Sequence, residues 1–149
     1  MHALGRRQVL RRPRTPDPCV VRPAPIPRLY MPQKHSRPLG LDRAYWLTER
    51  LWELARDLPV RWIPLRSIHE IEEDCWFGPD QAPTLRHVAD HARRIMDADL
   101  SYPIILSSDG RLMDGGHRVC KALLFGHTEI AAVQFEADPA PDYVRSGAA

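Results

Sequence analysis

The chain is 149 residues long with 44% hydrophobic residues, room for one domain of ordinary size with a core. No run of 18 apolar residues occurs and the N-terminus lacks the apolar stretch of a secretory signal, which excludes a membrane-spanning helix and places the protein in the cytoplasm. Three cysteines, Cys19, Cys75 and Cys120, stand far apart with no CxxC pair, which argues against a disulfide framework and a zinc knuckle.

The net charge of +2 conceals two opposed parts. Residues 1–37 hold nine Lys or Arg against the single acid Asp17, whereas residues 38–149 hold twelve basic and eighteen acidic residues. Eight of the fifteen prolines lie before residue 39, and the apolar residues there show no period. Such a segment cannot bury enough apolar surface to offset its ordering entropy, so residues 1–39 read as a disordered basic tail. It could make weak, non-specific contact with nucleic acid through phosphates, or be a solvated leader, with Met31 an alternative start. The acidic remainder speaks against DNA binding by the folded part.

Asp42 can cap a helix carrying Leu47, Leu51, Leu54, Ala55 and Leu58 at spacings of three and four, ended by Pro59. Tyr45 and Trp52 mark its margin. Residues 60–63 alternate as a short strand, and Leu65 to Ile71 read as a turn or short helix that overlaps the acidic patch Glu70, Glu72, Glu73, Asp74 and is followed by the pair Trp76-Phe77. Residues 78–83 form a loop. Thr84 caps a helix to about Ala98, with Leu85, Val88, Ala89, Ala92, Ile95 and Met96 on its apolar side and His87 and His91 on a solvated side. The two histidines have metal-ligand spacing but no third ligand nearby. Trp62, Trp76 and Phe77 read as core.

Residues 103–106 are a buried strand, Asp109-Gly110 is a hairpin turn, and residues 111–113 return. Gly115-Gly116 opens a helix from His117 to Phe125, which Gly126 closes. Residues 130–135 form the last strand, followed by an extended stretch. The order predicts a small mixed α/β domain over residues 40–143 and a flexible end over 144–149.

Chemistry concentrates in Asp114-Gly115-Gly116-His117-Arg118, with Lys121 one turn on. A strand enters two glycines and then a helix, whose first amides lack internal partners and carry partial positive charge. Glycines admit an oxygen-rich group close to the backbone. His117, Arg118 and Lys121 share one side of the helical wheel, so they are expected to point together into solvent, and Arg118 can grip a phosphate by its fork. Val119, Cys120 and Leu123 lie opposite. Asp114 can cap the helix, bind a metal or accept a substrate proton.

Ile104-Ile105-Leu106, Asp109-Gly110, Asp114 to Arg118 and Lys121-Ala122, with Ile63-Pro64-Leu65-Arg66-Ser67-Ile68 upstream, resemble the ParB/sulfiredoxin superfamily over roughly residues 60–136. The resemblance implies a nucleotide phosphate at the Gly116-His117-Arg118 turn, with ATP, ADP or CTP as ligand and Mg²⁺ alongside. Sulfiredoxins carry a reactive cysteine where Gly116 stands, and Cys120 falls on the apolar side, so that chemistry is not expected. Chromosomal ParB proteins have a Glu-Arg-Arg turn and a DNA-reading domain that does not follow here. The free-serine kinases of this fold have Asp-Gly-His-His-Arg, which is closest to Asp114–Arg118. That likeness would make Asp114 a metal ligand or base, Glu70 or Glu72 its partner, and a small molecule the phosphate acceptor. The expectation is a stand-alone nucleotide-binding domain, with a small-molecule kinase or a regulatory module for DNA-associated partners as alternatives.

Overall fold

The computed structural model describes residues 33–147. They form a mixed α/β fold of two small sheets. Strands β1 (Lys34–Leu39), β2 (Asp42–Leu47) and β7 (Tyr143–Arg145) form an antiparallel sheet with β2 in the middle. The second sheet has the order β3 (Arg61–Pro64), β6 (Glu129–Gln134), β4 (Ile104–Leu106), β5 (Leu112–Asp114). Its β4–β6 pair is parallel, and the β3–β6 and β4–β5 pairs are antiparallel. The helices are α1 (Thr48–Ala55), α2 (Leu85–Asp97) and α3 (Gly116–Leu124). Two short 3-10 turns, Leu65–Ser67 and His69–Glu72, follow β3.

Alternation along β4 and β6 builds the core on both faces of the second sheet. Ile105 and Val133 join Ala44, Trp46, Leu51, Ala55, Met113 and Phe135 on the side of β2 and α1. Ile104, Leu106, Ile130 and Ala132 pack with Leu65, Ile68, Val119 and Ala122 on the side of α3. A sheet covered on both faces has continuously apolar strands, as the fully buried Ile104–Leu106 shows.

The region around Asp42 corrects the predicted elements. Residues 42–47 form a strand, not the first half of a helix, because each pairs with a residue of β1, from Lys34 opposite Leu47 to Leu39 opposite Asp42. Gly40, at φ 62°, makes the tight return between them. Alternation then buries Ala44 and Trp46, and the helix begins only at Thr48. The strand β1 lies inside the stretch assigned to the basic tail. Its partner strand orders it, and Pro38 is tolerated because β1 is an edge. Residues 1–32 of that stretch lie outside the described residues. At the other end β7 follows β6 and pairs with β2, so β6 is not the last strand, and residues 144 and 145, assigned to the flexible end, are sheet.

The strand-to-helix change at Leu47 has no capping side chain of its own. Asp142 supplies one from afar: its carboxylate accepts the Leu47 amide at 2.7 Å and pairs with Arg50 at 2.6 Å. Its own amide donates to Tyr45 O at 2.8 Å.

The α2 boundaries agree with the sequence: Thr84 is the cap, in a reciprocal box with His87. Its facing does not. Leu85, Val88 and Met96 are 91%, 52% and 56% exposed, and no residue of α2 is buried. His87, His91 and Ile95, spaced by four, are the half-buried line instead. Trp62, expected in the core, is 66% exposed on β3. Among the described residues no helix is long and apolar enough to cross a membrane.

Candidate functional site

The β4–β5 hairpin delivers the chain to the turn before α3. Gly110, at φ 81°, turns it, and Ser107 holds the loop by accepting the Arg111 amide and bonding to Asp109. β5 ends at Asp114, and Gly115 takes φ 112° to start α3. A side chain at Gly115 would put its Cβ 2.6 Å from Ile104 Cγ2 and 3.0 Å from Arg118 Nη2. Only glycine fits there. The amides of Gly116, His117 and Arg118 form the first turn of α3, and no side chain caps them.

Arg118 folds back over this turn. Its Nη2 donates to Asp114 Oδ2 at 2.7 Å, and the same carboxylate oxygen accepts Trp52 Nε1 at 2.8 Å. Arg118 Nε is buried with no partner. Asp114 therefore does not cap α3 but anchors the guanidinium and the α1 indole.

His117 is not turned to solvent either. Its Nε2 lies 2.9 Å from His91 Nδ1, with one proton between the rings. Both imidazoles stack on Trp76, with centroids 4.8 Å and 4.2 Å away. Burial pushes His117 down to about 4, and the neighbouring His91 and Arg94 add to the effect. Burial and Arg94 lower His91 as well. The pair is neutral at pH 7. Trp76 is set by Asp74, whose Oδ1 accepts the amides of Trp76 and Phe77 at 3.0 and 2.9 Å. Its ring also lies over Gly116, 3.5 Å from where a Cβ would stand.

Lys121 is spent elsewhere: its Nζ donates to Met96 O at 2.8 Å and Ala98 O at 2.5 Å, closing the C-terminus of α2. The expectation that His117, Arg118 and Lys121 point together into solvent is thus corrected. One stacks, one folds onto Asp114 and one caps a helix, because α2 and the Trp76 loop pack against that side of α3. On the opposite side Val119 is buried, Cys120 half-buried and Leu123 44% exposed.

The structure separates the two candidate glutamates. Glu72 is exposed, whereas Glu70 turns inward: Oε1 accepts Arg111 Nε at 3.0 Å and Oε2 is buried without a partner. Glu70 and Asp114 both lie close enough for their charges to act on His35. His35, on β1, accepts Arg37 Nε at 3.1 Å and packs against Trp46. Burial and then Arg37 hold it down to about 4, against those carboxylates. Sequence reasoning missed His35 because it fell within the proline-rich stretch, and missed Trp52 because nothing local links it to Asp114. The Asp114–Arg118 pair had a signal: acid and base four apart meet on a helical turn.

Cys75 is exposed and Cys120 half-buried, and neither is in a disulfide. Burial raises both thiols, and the acids Glu70, Glu73 and Asp74 raise Cys75 further. Neither is a thiolate at neutral pH. Among the described residues no three His, Cys, Asp or Glu side chains converge on a metal site. Comparison of the chain with protein-family models, curated proteins and solved structures finds no match to any of them.

Proposed function

We propose that this chain carries a domain of the ParB/sulfiredoxin type that binds the phosphate of a nucleotide at Gly115-Gly116-His117-Arg118. The observation that carries the reading is the uncapped start of α3 beneath the Arg118 guanidinium, whose Nε is buried without a partner. Three aligned amides and an underused guanidinium are a donor set suited to phosphate oxygens. Asp114 opposes an anion there, so binding requires Arg118 to share its fork between carboxylate and phosphate. Trp76 covers one flank of the turn, and a nucleobase could stack on its outer face. Lys121 is not part of the site.

ATP, ADP and CTP are the candidate ligands. Mg²⁺ would enter with the phosphates, which together with water supply the oxygens that a lone Asp114 cannot. A kinase reading draws support from one further observation, the unpartnered Glu70 Oε2. In that reading Asp114 or Glu70 takes the proton of an acceptor hydroxyl. Phosphate transfer that survives both Asp114→Asn and Glu70→Gln would remove it.

A thermal-shift panel with ATP, ADP and CTP, each with and without Mg²⁺, tests the binding claim. At ligand a hundred-fold above Kd the folded state gains about 2.7 kcal/mol, a rise of several degrees in Tm. The rise is expected to vanish in Arg118→Ala and to persist in Lys121→Ala. No shift with any nucleotide, or an equal shift in Arg118→Ala, would contradict the reading.

A further inference from the structure

The outer face of the first sheet carries charges that nothing in the fold balances. Alternation turns Ala44 and Trp46 into the core. Lys34 and Ser36 of β1, Arg43 and Tyr45 of β2, and Tyr143 and Arg145 of β7 share the opposite side. Beyond residue 37 the chain is acidic on balance, with eighteen acids to twelve bases. Yet no acid occupies this side at any paired position of the three strands. Lys34, Arg43 and Arg145 are exposed, and among the described residues none of them is in an ion pair.

Arg43 stands directly opposite Arg145 in the register. Like charges facing each other across antiparallel strands destabilise the pair. Arg43 turns to Ser36, whose Oγ accepts its Nη1 at 2.9 Å. Arg145 and Lys34 gather on one pair of rings. Tyr45 and Tyr143 stack with centroids 4.8 Å apart and planes inclined by 10°. Lys34 Nζ lies 4.9 Å from the Tyr45 centroid and donates to the Tyr143 hydroxyl at 3.3 Å. The Arg145 guanidinium is 5.6 and 5.5 Å from the centroids of Tyr45 and Tyr143. Attraction of the cations to the rings offsets part of the crowding, and an external anion would offset more.

Phosphates joined to bases match this face better than carboxylates do. Arginine forks suit phosphate oxygens, whereas an acidic peptide would leave the tyrosines unused. Each ring turns one side to the other, and β7 is an edge strand, so no strand stands beside the far side of Tyr143. Unpaired bases stack on aromatic rings of this kind, but a duplex hides its base faces from a sheet. Residues 1–32, with seven arginines against Asp17, lead into β1 at Lys34, so positive charge continues from the face along the chain.

We propose that the outer face of the first sheet binds single-stranded nucleic acid, with phosphates on Lys34, Arg43 and Arg145 and a base against Tyr143. The inference is independent of the nucleotide reading, because the α3 turn follows a strand of the second sheet.

Fluorescence anisotropy of a labelled oligothymidylate with the full chain, over a salt series, tests it. The logarithm of affinity is expected to fall linearly with that of salt concentration. Combining Lys34→Gln, Arg43→Gln and Arg145→Gln is expected to flatten the slope by about 2, from about 0.7 for each of three phosphates. Tyr143→Leu keeps an apolar contact with Tyr45. It is expected to weaken oligothymidylate about ten-fold and to leave a duplex of equal length within about two-fold. In the unmodified ¹⁵N-labelled chain, oligothymidylate should move the amides of Tyr45, Tyr143 and Arg145, a readout that needs no variant to fold. Unmoved amides there, or an unchanged salt slope in the combined variant, would overturn the proposal. So would equal losses for single strand and duplex in Tyr143→Leu, or polyglutamate displacing oligothymidylate as readily as polyuridylate does.

Discussion

Gly115 and Gly116 are neighbours with different physical duties. Gly115 sits at φ 112° with Ile104 and Arg118 in the space of any Cβ, whereas a Cβ on Gly116 meets Trp76 at ordinary contact distance. Gly115→Ala is therefore expected to cost at least about 2 kcal/mol, from left-handed strain and displacement of a core isoleucine. Gly116→Ala should cost under about 1 kcal/mol, since alanine suits a helix better than glycine. Urea unfolding of the two variants checks the contrast, and equal losses would contradict it. The histidines add a pH signature. His35 and His117 are held down to about 4 in the folded chain and have an ordinary value of 6.5 when unfolded. The unfolded state therefore binds their protons first, and stability present above pH 6.5 drains as the pH falls toward 4. His117→Phe keeps the stack on Trp76 without the titration. Its Tm is expected to fall less steeply than that of the parent chain between pH 6.5 and 4.5. A slope as steep as the parent's would show that His117 does not titrate as described.

At the scale of elements, Asp142 ties three of them together by accepting the Leu47 amide, pairing with Arg50 and placing its own amide on Tyr45 O. Asp142→Ala leaves the start of α1 without an acceptor and is expected to cost about 1–3 kcal/mol. Amide exchange should quicken at Leu47 and Thr48 before it does in β4 or β6, and uniform quickening would contradict a local cap. The same elements show what the sequence disclosed. The β4–β5 hairpin and the turn into α3 were legible because Asp109-Gly110, Gly115-Gly116 and Gly126 act through their own backbone. The hairpin of β1 and β2 was not. The three-and-four spacing that starts at Leu47 continued a helix backward into residues whose strand partner lay in a proline-rich stretch. The boundaries of α2 were legible from Thr84 and the periodicity, but not its facing. Periodicity reveals that a helix has two sides, not that imidazoles would stack on Trp76 and turn the apolar side outward.

For the whole molecule, one sheet buried on both faces fixes the position of the β5–α3 turn, and less local groups decide what surrounds it. Asp114, Gly115 and Arg118 were identifiable from the chain alone. Trp52, which bonds Asp114, and Trp76 and His91, which stack with His117, come from three separate segments, and only folding brings them to this turn. The site that results is partly closed: Arg118 is shared with Asp114, and Trp76 lies on Gly116. Entry of a phosphate therefore requires rearrangement at Trp76 or in the Arg118 fork, and Trp76 fluorescence should change on binding. The most direct measurement follows backbone amide resonances of the ¹⁵N-labelled chain while ATP, ADP or CTP is added. The amides of Gly116, His117 and Arg118 are expected to move first and furthest with at least one nucleotide, and to stay still in Arg118→Ala. Saturating nucleotide that leaves those three amides unmoved, or moves only residues remote from the turn, would contradict a phosphate site at the start of α3.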